Sequence, residues 1–205
     1  MKALLTSCNR YDLLTQTLDS LLYKQREKLD IIVNEDSTNP EYSQSKLGST
    51  YNCTVIHTNG LGQHGSIEAF LKNTNFKYYL HLEDDWSMDN KYNWIQASLE
   101  IMRRDPKVIK VLCRDGSPHP CTHNLDLGNG ITYGYLEPWT SEDGTLWSGF
   151  SWNPGVTDAS ILRRMIPFPK YEQQLAERIW KFGYKVVEMA PPIYKHIGDG
   201  RSTHN

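Results

Sequence analysis

The chain has 205 residues, 39% of them hydrophobic, enough for one sizeable core, so a single domain over residues 1–205 is expected. Its formal net charge of −2 supplies no basic field for nucleic acid. No apolar run approaches the ~18 residues of a membrane span, and MKALLTSC is too short for a secretory signal, so a cytoplasmic protein with no membrane span is expected.

MKALLTSCNR (1–10) reads as a short strand, and Leu13, Leu14, Leu18, Leu21 and Leu22 follow at helical spacing. LDIIVNEDST (29–38) is a second strand ending in acids, and NPEYSQSKLGS (39–49) a polar connection. YNCTVIHTNG (51–60) is a third strand and SIEAFLKNTN (66–75) a helix, with Ser66 at its N-cap or first turn. KYYLHLEDDW (77–86) is a fourth strand, and NKYNWIQASLEIMRRDP (90–106) a helix ended by Pro106. KVIKVLCRD (107–115) is a fifth strand, after which ITYGYLEPW (131–139) and TLWSGFSWNPG (145–155) read as antiparallel strands. Helices are expected at TDASILRRM (157–165) and YEQQLAERIWKFG (171–183), a strand at YKVVEMA (184–190), and a polar tail from Pro191. Cys8, Cys53, Cys113 and Cys121 form no CxxC pair, so reduced thiols are expected; a zinc site from Cys113, His119, Cys121 and His123 has irregular spacing, and a loop is the better reading.

Strands alternating with helices imply an α/β fold, a mostly parallel sheet covered on both faces, with ligands at the strands' carboxyl ends. The first four strands end there in TSCNR, NEDST, HTNGLGQHG and LEDDW. Three successive acids, Glu83, Asp84 and Asp85, need a positive partner, and a divalent cation, Mn²⁺ or Mg²⁺, suits hard oxygen ligands shared with a diphosphate. Neighbouring strand residues point to opposite faces, so Asp85 is read as the direct ligand and Asp84 as the contact to a ribose or metal-bound water. A competing reading takes GLGQHG (60–65), with Asp85 twenty residues beyond, as a dinucleotide fingerprint of an NAD(P)-dependent oxidoreductase. Against it, the match follows the third strand, and a ribose needs one acid where EDD offers three.

LLTSCNRYDLLTQTLDSLL, IIVNEDST, YYLHLEDDW, YEQQLAERIWKFGYKV and HIGDGRS occur in the order of nucleotide-sugar-dependent GT-A glycosyltransferases, and the chain resembles their family 2 members across nearly its whole length. It is most similar to the compact GT-A enzymes encoded by large algal DNA viruses, which favour UDP donors. The resemblance implies a GT-A fold with a nucleotide-binding half (1–90) and an acceptor half with a C-terminal tail (91–205). It also implies a UDP-sugar donor, a glycan or glycoprotein acceptor and an inverting transfer.

Residue by residue, the resemblance implies that Thr6, Ser7 and Arg10 meet the uracil and diphosphate and that Asp36 accepts from the base; Gly60, Gly62 and Gln63, where the turn departs from the usual family pattern, would wall the nucleotide pocket because glycines permit close backbone approach. His196 would join the metal, and Gly198, Gly200 and Arg201 would let the tail cover the phosphates. Glu172, at the start of a late helix, would be the general base, with Asp158 as the fallback. Trp86 and Trp147 have faces suited to a sugar ring, Asn153 an amide suited to a donor hydroxyl, and Phe150 is expected in the core. A non-catalytic nucleotide- or glycan-binding module is the third reading, and the joint presence of acids, a base and His196 argues against it.

Overall fold

In a computed structural model, residues 1–25, 27–89, 93–115, 125–128, 130–140 and 144–201 are described. The chain opens with β1 (Lys2–Ser7), whose Ala3, Leu4 and Leu5 are wholly buried on both sides, as a strand inside a two-face-covered sheet must be. α1 (Tyr11–Lys24) buries Leu13, Leu14, Leu18 and Leu21 in one stripe, whereas Leu22 points outward and is 53% exposed. β2 (Asp30–Glu35), a helical turn α2 (Ser49–Tyr51), β3 (Thr54–His57), α3 (Gly62–Lys72) and β4 (Tyr78–Glu83) follow. β1 pairs in parallel with both β2 and β4, and β2 with β3, so their carboxyl ends share one edge. α3 starts a full turn before the expected position, and Ser66, expected at its start, is buried inside it.

The chain continues through β5 (Trp86–Met88), α4 (Trp94–Arg104), β6 (Val108–Leu112), β7 (Leu125–Gly128), β8 (Ile131–Tyr135), β9 (Trp139–Thr140) and β10 (Leu146–Trp147). β11 (Gly155–Asp158), α5 (Ala159–Leu162), α6 (Glu172–Lys181), β12 (Lys185–Ala190) and β13 (Tyr194–His196) complete it. Among the described residues, nine strands form one mixed sheet in the order β3-β2-β1-β4-β11-β6-β12-β8-β7. α1 and α4 cover one face, and α3, α5 and α6 the other. No helix among the described residues is long and apolar enough to cross a membrane.

β11 and the tail also depart from the sequence expectation. Thr157 and Asp158, expected to open a helix, belong to β11, a wholly buried strand running antiparallel between β4 and β6. The approach is so close that a Cβ on Gly155 would stand 2.2 Å from the Val111 carbonyl oxygen, so only glycine fits. The polar tail is also structured: β13 pairs antiparallel with β5, bringing residues 194–196 alongside the acidic end of β4.

Candidate active site

A cleft of about 280 Å³ opens at the carboxyl ends of β1, β2 and β4, between them and the first turn of α3. Thr6, Ser7, Arg10, Asp36, Gly62 and Gln63 all line it, as does Glu83. Thr6 Oγ1 lies 3.4 Å from the Leu82 carbonyl oxygen, and the Ser7 hydroxyl is buried with no hydrogen-bond partner among the described residues. Gln63 Nε2 donates to Glu83 Oε1 (2.8 Å) and the Trp86 indole to Glu83 Oε2 (3.3 Å). Burial, and then the Asp85 charge, push the Glu83 carboxyl up.

Asp36 has a structural task inside this cleft. Its carboxylate accepts from the backbone of Gly60 (3.0 Å), Leu61 (2.9 Å) and Gly62 (2.7 Å), and from the Thr58 hydroxyl (2.7 Å). A negative group thus closes the N-terminus of α3 from the neighbouring strand. The N–H groups that a dinucleotide fingerprint would turn towards a pyrophosphate are spent on a carboxylate, which removes the physical basis for reading GLGQHG that way.

The positive partner of the two aspartates is a guanidinium. Arg10 grips Asp84 through both Nη2 and Nε (the latter 3.2 Å) and reaches Asp85 Oδ2 through Nη1 at 2.7 Å. Asp84 is wholly buried; burial pushes its carboxyl up to about 7 while Arg10 pulls it back. Asp85 is more open and points to the tail. His196 Nε2 lies 3.4 Å from Asp85 Oδ2, while Nδ1 lies 2.7 Å from Asp199 Oδ1. With the Nδ1 N–H donating to Asp199, the Nε2 lone pair is left to face the Asp85 side, the arrangement that orients a histidine ligand. The ring is also held 4.8 Å from that of Trp86. Ile197 N–H donates to the Asp85 carbonyl (2.9 Å) and Arg10 Nη1 to the Arg201 carbonyl (3.3 Å), so the tail is strapped over the acids. A Cβ on Gly198 would stand 2.6 Å from Asp85 Cβ, so glycine is required for that closeness. The Arg201 guanidinium turns away to Asp12 (2.6 and 3.0 Å).

Among the described residues no three His, Cys, Asp or Glu side chains surround one point. Asp85 and His196 nevertheless offer one hard oxygen and one imidazole nitrogen, a donor pair that suits Mn²⁺ or Mg²⁺ when diphosphate and water oxygens complete the shell.

Glu172 stands at the first position of α6, where Oε1 accepts from the Trp152 backbone N–H at 3.2 Å. Burial, and then the charge of Glu83, push its carboxyl up to about 7, against the pull of Lys110 and Arg114. Glu83 lines the cleft, whereas Glu172 does not. Asp158 is elsewhere: it pairs in register with Tyr78, at the opposite end of β4, and caps α5 through Ser160 N–H (2.8 Å) and Ile161 N–H (3.1 Å). That position corrects the fallback assignment. Trp147 lies half-buried in the β9–β10 ribbon opposite Trp139, and Asn153 half-buried after Trp152; neither lines the cleft. Phe150 is wholly buried, as expected of a core residue. Cys113 is buried, whereas His119, Cys121 and His123 lie outside the described residues. Sequence reasoning missed Lys110, a wholly buried lysine, although a charge in the middle of VIKVL was the available signal.

A mixed α/β sheet of this topology, with a cleft and clustered acids at its carboxyl edge, is the architecture of the GT-A fold. The model of the glycosyl transferase family 2 matches residues 3–164, and the chain belongs to that family. Glu172 and His196 lie beyond the matched span. Among solved structures, S. aureus TarS 1-349 is similar over 97% of this chain and 61% of its own (TM-score 0.62, 15% identity), and a second S. aureus TarS structure over 95% and 36% (0.60, 14%). The chain therefore spans less than two thirds of either TarS structure. A 4-diphosphocytidyl-2C-methyl-D-erythritol synthase from Anaerococcus prevotii is similar over 93% of this chain and 87% of its own (0.56, 14%). Identities this low show a shared fold alone. No curated protein matches the chain.

Proposed function

We propose that this glycosyltransferase moves a sugar from a UDP-sugar to a hydroxyl of a glycan or glycoprotein acceptor, with Mn²⁺ or Mg²⁺ at Asp85 and His196 and Glu172 as the base. The observation that carries the reading is the approach of His196 Nε2 to Asp85 Oδ2, 3.4 Å apart though 111 positions separate them. Such a pair beside a cleft suits a cation shared with a diphosphate. Thr6, Ser7 and the Gly62–Gln63 turn wall the nucleotide side of that cleft. Arg10, the cation now on the aspartates, would exchange Asp85 for the diphosphate, a charge-assisted partner of equal sign. A metal held by Asp85 and His196 would offset the charge that develops on departing UDP.

Glu172 would take the acceptor proton as its oxygen attacks the anomeric carbon and the sugar–phosphate bond breaks, which inverts the configuration. A carboxyl near neutrality is suited to that work, since it is charged at working pH and still basic enough to hold a proton. Calorimetric titration with UDP, with and without Mn²⁺, followed by a screen of UDP-sugars for UDP release, tests the reading. Metal-enhanced UDP binding and release from at least one donor are expected. UDP affinity indifferent to Mn²⁺ would remove the metal from Asp85 and His196, and binding without release from any donor, with or without glycan acceptors, would favour a binding module.

A further inference from the structure

We propose that His81 is a positioning residue for the base: from inside the sheet it fixes the backbone of Trp152, and the N–H of that residue holds the Glu172 carboxylate. The inference rests on Glu172 being the base.

His81 stands in β4, in the apolar run YYLHLE, and is wholly buried. Two ring nitrogens in such a place are costly unless both find partners. Burial pushes the imidazole well down, so at pH 7 the ring is neutral, with one donor and one acceptor. Nδ1 meets the Trp152 carbonyl oxygen at 2.5 Å, and a carbonyl only accepts, so Nδ1 carries the proton. Nε2 is then the acceptor, 3.4 Å from the hydroxyl oxygen of Thr6, which lines the cleft.

Trp152 lies between β10 and β11, and the β11 ladder begins only at Gly155, opposite His81. Its backbone is held by side chains instead: the carbonyl by His81 and the N–H by Glu172 Oε1 at 3.2 Å. Among the described residues that N–H is the one hydrogen bond the Glu172 carboxylate accepts. What sets the Trp152 backbone therefore sets the base. The indole ring is packed edge-on against Phe150 (5.0 Å between centres), His81 (5.5 Å) and His64 (5.6 Å), which centres the side chain. Packing of a ring leaves the backbone free to rotate beneath it, and the directional bond from Nδ1 removes that freedom. His81 thus has one nitrogen at the cleft wall and the other on the residue that carries the base.

A histidine that merely filled the core would be replaceable by an apolar side chain, whereas a positioning residue needs a donor where Nδ1 stands. The test compares His81→Leu and His81→Met, which lose the donor, with His81→Asn, whose Nδ2 takes the place of Nδ1. All are full chains, with circular dichroism and urea midpoints as controls for folding. In the wild type, ¹⁵N spectra of the His81 ring, identified by its loss in any folded variant, should show the Nδ1–H tautomer; the Nε2–H tautomer would overturn the proposal. In ¹⁵N-tryptophan-labelled protein, hydrogen exchange of the Trp152 amide should quicken by about tenfold in the apolar variants, the size of one hydrogen bond, and return towards wild type in His81→Asn. An unmoved Trp152 amide in a folded apolar variant, or equal loss in all three, would overturn it too. With a UDP-sugar that gives UDP release, kcat should fall by about tenfold in the apolar variants with KM for the donor little moved, and recover in His81→Asn. UDP release by Glu172→Gln separates the two readings. Full release there would remove Glu172 as the base whatever His81 does, while lost release there with full release in a folded His81→Leu or His81→Met would remove His81 alone.

Discussion

Asp84 and Asp85 are chain neighbours with different surroundings. Asp84 is wholly buried and clasped by Arg10, while Asp85 looks outward to His196. Their asparagine variants should therefore fail in different ways. Asp85→Asn should lose most Mn²⁺-dependent UDP affinity and keep its stability, and equal metal-dependent affinity in variant and wild type would sink its assignment as a ligand. Asp84→Asn should weaken that affinity less, because only Asp85 is read as a direct ligand and Asp85 still holds the Arg10 guanidinium. Glu172 carries a pH signature of its own. Its folded value, about 7, lies above its ordinary 4.5, so its contribution to stability is full below pH 4.5 and is lost as pH rises through 7. Relative to Glu172→Gln, the wild type should weaken by more than about 1 kcal/mol between pH 4.5 and 7, read from urea midpoints. Parallel stability curves would mean that Glu172 is solvated and not held in the site.

At the scale of elements, the site is made by short pieces. β5 and β13 have three residues each, yet their pairing is what sets His196 beside Asp85 and lays Gly198 against it. An added methyl at residue 198 has nowhere to go while β13 stays paired. Gly198→Ala should weaken Mn²⁺-dependent UDP binding by more than ~10-fold without moving the urea midpoint by more than about 1 kcal/mol, since the clash is relieved by lifting an end segment. Unchanged binding would show that the tail is a bystander. α6 contributes through its first turn, where Glu172 faces the sheet while the exposed Trp180 and Phe182 lie at the far end.

Across the whole molecule, the antiparallel β11 divides the sheet into two blocks, β3-β2-β1-β4 and β6-β12-β8-β7. The first block supplies the cleft and the acids; the second supplies Lys110 and, through the chain on either side of β12, Glu172 and His196. Transfer between two substrates suits a site whose charged groups come from both blocks. The committed N–H groups at Gly60, Leu61 and Gly62 also settle what the molecule should refuse. Titration with NAD should give no binding heat under conditions where UDP saturates, and a NAD isotherm equal to that of UDP would restore the oxidoreductase reading.

Local order was legible in the amino-acid sequence because helices and covered strands advertise themselves by period and length, as α1, α4 and the first four strands do. So was the edge at which acids gather, since strand ends follow from strand assignment. The four-residue β11 was not, because GVTD is too short to show alternation and its identity as a strand depends on lying between β4 and β6. Nor was the partner of the acids, because Arg10 meets Asp84 from 74 positions away. Glu172 and Asp158 look alike as carboxylates near helix starts; only the tertiary fold sets one against the Trp152 N–H and the other, by sheet register, at the opposite end of β4 from Glu83. Periodicity is a property of neighbours in the chain, whereas charge pairing and burial are properties of neighbours in space, and in this protein the site is built from the second kind.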